Sequence, residues 1–200
     1  PICGEYRHPA AAAAPGDIVL DAGLFDSTIL RRFALSVGQR GHVYGFEPEP
    51  DNFTFVQRTL GEFGDPGNVT LVAKGLYSSC GVMNISAEGA SGALSAMAGD
   101  NSSPCEVITV DHFAKAYALP RIDLIKMDIE GSELDALRGA QDSIRCWKPK
   151  LHICAYHQID DLVDIPALIN EISPGYRFYF SSHVPYLNEY VYYAVAPSCS

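Results

Sequence analysis

Short apolar runs alternate with amphipathic stretches along most of this chain. The run at residues 18–20 leads into Asp21-Ala-Gly23, and the run at residues 122–129 reaches Asp128 and is followed by Glu130. Apolar runs bounded by turn residues are typical of buried strands. Further runs of this kind predict strands at residues 42–46, 68–73, 80–86, 106–110, 151–156, 176–181 and 189–196.

The stretches between these strands carry apolar residues three and four positions apart, which predicts helices. The first begins at Asp26 or Ser27 and ends at Gly38. Residues 87–104 are rich in Gly, Ala and Ser and are predicted to form a mobile loop. Further helices are predicted around Phe53, Val56 and Leu60, after Asp111, at residues 131–144 and at residues 162–172.

Alternating strands and helices favour an α/β fold with a mainly parallel sheet and helices on both faces. The aromatic and β-branched residues near the end predict a closing antiparallel hairpin, with its turn at residues 185–188. A chain of 200 residues with 48% hydrophobic residues can bury one core. We therefore expect one domain over residues 1–200, with residues 1–14 as an N-terminal extension.

Charge and cysteine usage narrow the range of partners. The chain has 14 Lys and Arg against 24 Asp and Glu, a net charge of -10. Such a charge disfavours nucleic acid and anionic membrane surfaces as partners. No apolar run is long enough to span a bilayer. The cysteines have no metal or redox spacing, so we expect reduced thiols and a cytoplasmic location.

The polar residues at the strand ends form the candidate binding site, because ligands of open α/β sheets bind at the carboxyl edge. Glu47 follows Gly23 by 24 residues, close to the interval at which an acidic residue grips ribose hydroxyls. Alternatively, Glu47 is a solvated carboxylate at a strand end with no binding role. The first loop lacks the G-x-G-x-x-G spacing, which leaves NAD-dependent oxidoreduction as a weaker hypothesis. Acidic Asp21 and Asp26 suit a positively charged nucleoside such as S-adenosylmethionine.

A second group of polar residues provides candidate catalytic side chains. Asp128 and Glu130 are two positions apart at a strand end, so both can face the crevice, and His157 leaves the neighbouring strand. We expect His157 to act as the base that removes a hydroxyl proton. Alternatively, Asp128 caps the next helix and Glu130 lies in its first turn; Glu133 is expected to do one of these. A metal triad of Asp128, Glu130 and His157 is the less favoured alternative, and no metal is predicted.

Several motifs give the chain a resemblance to a known family over about residues 15–196. They are Asp21-Ala-Gly-Leu-Phe-Asp, Tyr44-Gly-Phe-Glu-Pro-Glu-Pro50, Lys74-Gly-Leu-Tyr77, Ile125-Lys-Met-Asp-Ile-Glu-Gly-Ser-Glu133, Lys148-Pro-Lys-Leu151 and Tyr156-His157. The chain resembles the FkbM-type S-adenosylmethionine-dependent methyltransferases. This resemblance implies the Rossmann-like class I methyltransferase fold with a seven-stranded sheet. It also implies methyl transfer to a hydroxyl of a small molecule, such as a sugar or secondary metabolite.

The first loop and the ends of the neighbouring strands supply the expected cofactor contacts. Glu47 is expected on the ribose, with Pro48 and Gly75 bordering the adenine. The first loop is expected to contribute Asp21, Gly23, Leu24, Phe25 and Asp26.

Two positions depart from the family pattern. Ser27 stands where the family usually has a second glycine, and Phe180-Ser-Ser-His183 lacks an arginine that many relatives carry. These departures motivate an alternative function, a catalytically silent S-adenosylmethionine-binding domain that acts through a protein partner.

Overall fold

The computed structural model describes residue 6 and residues 8–62, 64–88, 91–95, 102–182 and 190–197. Its strands are β1 (Ile18–Ala22), β2 (His42–Phe46), β3 (Val69–Val72), β4 (Gly75–Leu76), β5 (Gly81–Glu88), β6 (Ser91–Ser95), β7 (Ser102–Ile108), β8 (Leu124–Met127), β9 (Lys150–Cys154), β10 (Arg177–Ser182) and β11 (Tyr190–Val195). Its helices are a 3₁₀ turn (Pro9–Ala11), α1 (Ser27–Val37), α2 (Pro50–Glu62), α3 (Val110–Ala116), α4 (Glu133–Arg138), α5 (Gln141–Trp147) and α6 (Asp161–Ile172).

Seven strands form the large sheet, in the order β10-β11-β9-β8-β1-β2-β3. β1 pairs in parallel with β2 on one side and β8 on the other, so the strand order reverses around β1. β11 lies between β9 and β10 and runs antiparallel to both. The predicted parallel sheet and closing hairpin are confirmed, whereas the predicted turn at residues 185–188 lies outside the described residues. A crevice is expected where the order reverses.

A second sheet has four strands in the order β4-β7-β5-β6. Its β5 and β7 overlap the strands predicted at residues 80–86 and 106–110, and the sheet extends into the predicted loop. The prediction of a loop over residues 87–104 is wrong at residues 91–95, which form β6 and pair with β5. It is also wrong at residues 87–88, which end β5 and pair with β6, and at residues 102–104, which begin β7 and pair with β5. Residues 89–90 and 96–101 lie outside the described residues. The Gly- and Ser-rich sequence has little strand preference of its own. The small sheet forms because pairing between its strands satisfies their backbone N–H and C=O groups.

Two helix predictions need correction. The helix predicted at residues 131–144 is two helices, α4 and α5, separated at Gly139, where an added Cβ would lie 2.2 Å from the carbonyl oxygen of Tyr77. Asp111 does not cap α3, since Thr109 does so. The Asp111 carboxylate instead accepts from the N–H groups of Asp142 and Ser143 at the start of α5.

Both faces of the large sheet are covered by helices. α1 and α2 place Leu30, Phe33 and Val56 against one face, and α3 to α6 pack on the other around Phe113 and Leu137. The first face also carries a buried polar row, because Asp21, Lys126, His152 and Tyr193 occupy paired positions on adjacent strands. No helix in the described ranges is long and apolar enough to cross a membrane.

Candidate functional site

The turn after β1 brings the ends of three strands together. Gly23 has a φ of +81°, and an added Cβ would lie 1.7 Å from the carbonyl oxygen of Asp128. The Gly23 N–H donates to the carbonyl oxygen of Phe46 at 3.1 Å. Only glycine tolerates this backbone conformation together with so close an approach. The ends of β1, β2 and β8 therefore meet at Gly23 without an intervening side chain.

An ion pair between Asp21 and Lys126 is buried beneath this turn. Lys126 Nζ lies 3.1 Å from Asp21 Oδ1 and donates to the carbonyl oxygens of Ala22 and Gly23 at 3.1 and 2.7 Å. Burial raises the pKa of the Asp21 carboxyl, although Lys126 opposes the rise. Burial alone would lower the pKa of Lys126, but Asp21 and Asp128 outweigh it, so the pKa is raised and the ammonium stays charged. This pair fixes the backbone of the turn.

Glu47, which follows β2, holds the turn from the side. Its Oε2 accepts from the Leu24 N–H at 3.2 Å and from Asn52 Nδ2 at 2.8 Å, and its Oε1 accepts from the Glu49 N–H at 2.9 Å. Burial raises the pKa of Glu47 against these hydrogen bonds, which lower it. A carboxylate offers about four acceptor positions, so about one stays free, on Oε1. That position can accept from a ligand hydroxyl.

A cleft of about 550 Å³ opens over these residues at the carboxyl edge of the large sheet. The turn after β1 contributes Gly23, Leu24 and Phe25 to its lining, and the end of β2 contributes Glu47 and Pro48. Gly75 of β4 lies beside Pro48. Six of the eight predicted cofactor-contact residues therefore line one cleft.

Two predicted contact residues do not line the cleft. Asp21 has no exposed surface and is paired with Lys126, so the expectation of direct contact with the cofactor is corrected. The Asp26 side chain caps α1 by accepting from the Thr28 N–H at 2.7 Å. Both acidic residues shape the turn, and neither faces the cleft.

Asp128 closes the cleft at the end of β8, between two tyrosine hydroxyls. Tyr6 donates to Oδ2 and Tyr156 donates to Oδ1, each at 2.8 Å. Burial raises the pKa of Asp128, but Lys126, the tyrosine hydroxyls and His157 outweigh it, and the pKa is lowered. Asp128 is therefore a fixed anion with little tendency to take up a proton.

His157 lies among three carboxylates. Its Nδ1 is 2.9 Å from Glu133 Oε1, and its Nε2 is 3.5 Å from both Asp128 Oδ1 and Glu130 Oε2. Burial lowers the pKa of His157, but Glu133 and the other carboxylates outweigh it and raise the pKa. A raised pKa increases the protonated fraction of His157 at a given pH, and an imidazolium cannot accept a proton. The role of His157 as the base stays a prediction.

Glu130 differs from its neighbours in both backbone and environment. Its φ of +54° is in the left-handed region, which a residue other than glycine rarely adopts. Its side chain is 36% exposed and lines the cleft. Burial, together with Asp128 and Glu133, raises the pKa of Glu130 against the opposing effect of His157. Among the three predicted catalytic residues, Glu130 is the carboxylate best suited to take up a proton.

Among the residues that the structure describes, the group whose possible metal-ligand atoms lie within 4.8 Å of one another is Asp128, Glu133 and His157. This group has Glu133 in place of the Glu130 of the triad considered from the sequence. Asp128 already accepts two tyrosine hydroxyls, and His157 already pairs with Glu133. These interactions give each side chain a role without an ion. The prediction that no metal takes part stays a prediction.

A family model described as the methyltransferase FkbM domain matches residues 8–192. The chain belongs to the FkbM methyltransferase family. The class I methyltransferase fold predicted from the sequence is confirmed by the sheet order and by solved structures with the same fold.

The FkbM chain has similar relatives in several organisms. The hexuronic acid methyltransferase AglP of Haloferax volcanii is 26% identical over 160 residues, which cover 80% of this chain and 64% of that protein. The methyltransferase FkbM of Methylobacillus flagellatus has a TM-score of 0.75 at 24% identity, covering 97% of this chain and 48% of that one. The chain thus spans about two thirds and about half of these relatives.

A more distant neighbour is the fibrillarin of Aeropyrum pernix, solved with natively bound S-adenosylmethionine. It has a TM-score of 0.55 at 14% identity, covering 96% of this chain and 70% of that chain. Membership of the FkbM methyltransferase family supports S-adenosylmethionine as the cofactor of this chain.

Sequence reasoning missed the residues that position the site from a distance. Tyr6 and Asn52 hold Asp128 and Glu47, and Leu94 of β6 reaches the cleft. Glu133, expected only as a cap or in the first turn of a helix, does begin α4 and accepts from the Ile129 N–H, but it also pairs with His157. The contact of Asn52 with Glu47 spans five positions, whereas that of Tyr6 with Asp128 spans 122.

Proposed function

We propose that this protein transfers a methyl group from S-adenosylmethionine to a hydroxyl oxygen of a small molecule. The observation that carries the proposal is one cleft lined by both Glu47 and Glu130, in a chain of the FkbM family. The name of the Haloferax volcanii relative favours a sugar among hydroxylated acceptors.

The residues of the cleft fit a nucleoside cofactor. The free acceptor position of Glu47 Oε1 suits a ribose hydroxyl, and Pro48, Gly75 and Leu94 offer an apolar slot of the kind that takes an adenine. The acidic surroundings suit a sulfonium. When bound, S-adenosylmethionine supplies a methyl group already activated for attack by a nucleophile, so positioning carries much of the acceleration.

Glu130 accepts the hydroxyl proton in this proposal. Its raised pKa brings its basicity closer to neutrality, and its exposed part faces the cleft. Protonated His157 lies 3.5 Å from Glu130 Oε2 and orients it, while Asp128 is held by Tyr6 and Tyr156. The unusual φ of Glu130 fits this role, because backbone strain is concentrated at functional sites.

The test is methyl transfer from radiolabelled S-adenosylmethionine to a panel of hydroxylated acceptors, with wild type and Glu130→Gln. Loss of a general base lowers kcat by about 10²–10⁴-fold, and we expect S-adenosylhomocysteine still to bind. Glu171→Gln, at an exposed position of α6, is the matched control and should retain full activity. Full activity of Glu130→Gln would contradict the assignment of the base. Cofactor binding without transfer to any acceptor would favour the silent-binding alternative.

A further inference from the structure

Carboxylates outnumber cations around Glu130, the proposed base in the cleft. Asp128, Glu130 and Glu133 lie within 3.5 Å of His157, so three carboxylates face one imidazolium. Glu133 Oε2 is buried and has no hydrogen-bond partner, which leaves part of this negative charge uncompensated. The buried ammonium of Lys126 stabilises the Asp128 carboxylate, but it is also paired with Asp21. With Lys126 and Asp21 included, four carboxylates face two cations.

The other ionisable residues that line the cleft are also acidic. Glu47, Glu49 and Asp51 belong to its lining, and no lysine or arginine does so within the described ranges. In the segments outside those ranges, Arg7 is the one lysine or arginine of the sequence. The net charge of -10 adds a long-range negative potential.

We propose that the acceptor carries no negative charge beside its reacting hydroxyl, so that it is an uncharged or amine-bearing polyol. The inference rests on the proposed function and narrows its substrate class. It separates this chain from the Haloferax volcanii relative, which is named for a hexuronic acid and hence for an anionic sugar.

Coulomb repulsion sets the size of the expected discrimination. At an effective dielectric constant of about 20, two like charges about 6 Å apart repel strongly enough to change a binding constant by about 100-fold. Salt screening reduces this effect at the open side of the cleft. We therefore expect an acceptor with a carboxylate to lose at least about tenfold in kcat/KM against its uncharged counterpart.

The test uses matched methyl glycosides in the glucose, galactose and mannose series, each as the hexoside, the 2-amino-2-deoxy hexoside and the hexuronide. We expect the amine-bearing and uncharged members to be methylated with higher kcat/KM than the hexuronide, and added salt to narrow the difference. A hexuronide that is methylated as fast as its hexoside would overturn the inference and leave the proposed function standing. No transfer to any member would contradict the proposed sugar methylation, and the inference with it.

A variant with two fewer negative charges in the cleft provides the second test. In Glu49→Gln/Asp51→Asn, we expect the kcat/KM of the hexuronide relative to the hexoside to rise several-fold. Glu62→Gln/Glu171→Gln removes the same charge at exposed positions outside the cleft and should leave this ratio at its wild-type value. A ratio that is unchanged by the cleft variant and by salt would overturn the electrostatic origin of the selectivity.

Discussion

Lys126 is buried where an ammonium group is costly to desolvate, and its contacts explain why the structure retains it. It pairs with Asp21 and donates to two carbonyl oxygens of the turn that lines the cleft. Buried ion pairs contribute little net stability, but breaking one leaves an uncompensated charge. The pair is therefore best understood as a device that fixes the turn.

Lys126→Met should destabilise the protein by about 3–5 kcal/mol, because the carboxylate of Asp21 is left buried and unpaired. The double variant Asp21→Asn/Lys126→Met removes that charge and should recover part of the loss. Urea unfolding followed by circular dichroism measures both. A double variant as unstable as Lys126→Met would show that the unpaired charge is not the cause.

His157 gives the stability of the protein a defined pH dependence. The folded state raises its pKa, so its contribution is fully present below the unfolded pKa of about 6.5 and is lost as pH rises through the folded pKa. The difference in unfolding free energy between wild type and His157→Gln should therefore be largest in mild acid and shrink toward alkaline pH. A difference that grows with pH would mean that the neutral imidazole is the stabilised form.

At the scale of elements, the turn after β1 depends on the missing side chain of Gly23. Gly23→Ala should lower stability by more than the roughly 1–3 kcal/mol of a strained backbone, since its Cβ would also collide with the carbonyl of Asp128. It should also abolish S-adenosylhomocysteine binding.

Gly61→Ala is the matched control for this substitution. Gly61 lies in α2 with no atom within 4 Å of an added Cβ, and alanine there should be neutral or stabilising by up to about 1 kcal/mol. Thermal unfolding and calorimetry compare the two variants. Gly23→Ala behaving like Gly61→Ala would contradict the close packing of β1 against β8.

Elements with local signals were predictable, and elements that depend on distant partners were not. The strands of the large sheet follow from apolar runs, and Gly23 and Glu47 follow from their spacing. Within the small sheet, β5 and β7 overlap predicted strands, whereas β6, Ser91–Ser95, was missed because it has little strand preference of its own and pairs with β5. The break between α4 and α5 depends on the approach of Gly139 to Tyr77, far apart in sequence. Tyr6 meets Asp128 across 122 positions, which no local pattern reveals.

At the scale of the whole molecule, the topology of the large sheet brings the residues of the site together. The order of the large sheet reverses around β1, so the ends of β1, β2 and β8 leave a crevice between helices on opposite faces. β4 and β6 of the small sheet contribute Gly75 and Leu94 to the same cleft. The acceptor preference belongs to this scale too, because it arises from the sum of charges around the cleft.

Calorimetric titration of S-adenosylhomocysteine into wild type and Glu47→Gln tests the central claim, a nucleoside held between the turn after β1 and Glu47. Loss of a charged hydrogen-bond acceptor costs about 1.5–3 kcal/mol, so we expect binding to weaken by about 10–100-fold. Glu62→Gln, an exposed carboxylate change on α2, should bind as wild type does. Binding of equal strength by Glu47→Gln and wild type, or no binding by wild type, would contradict the account.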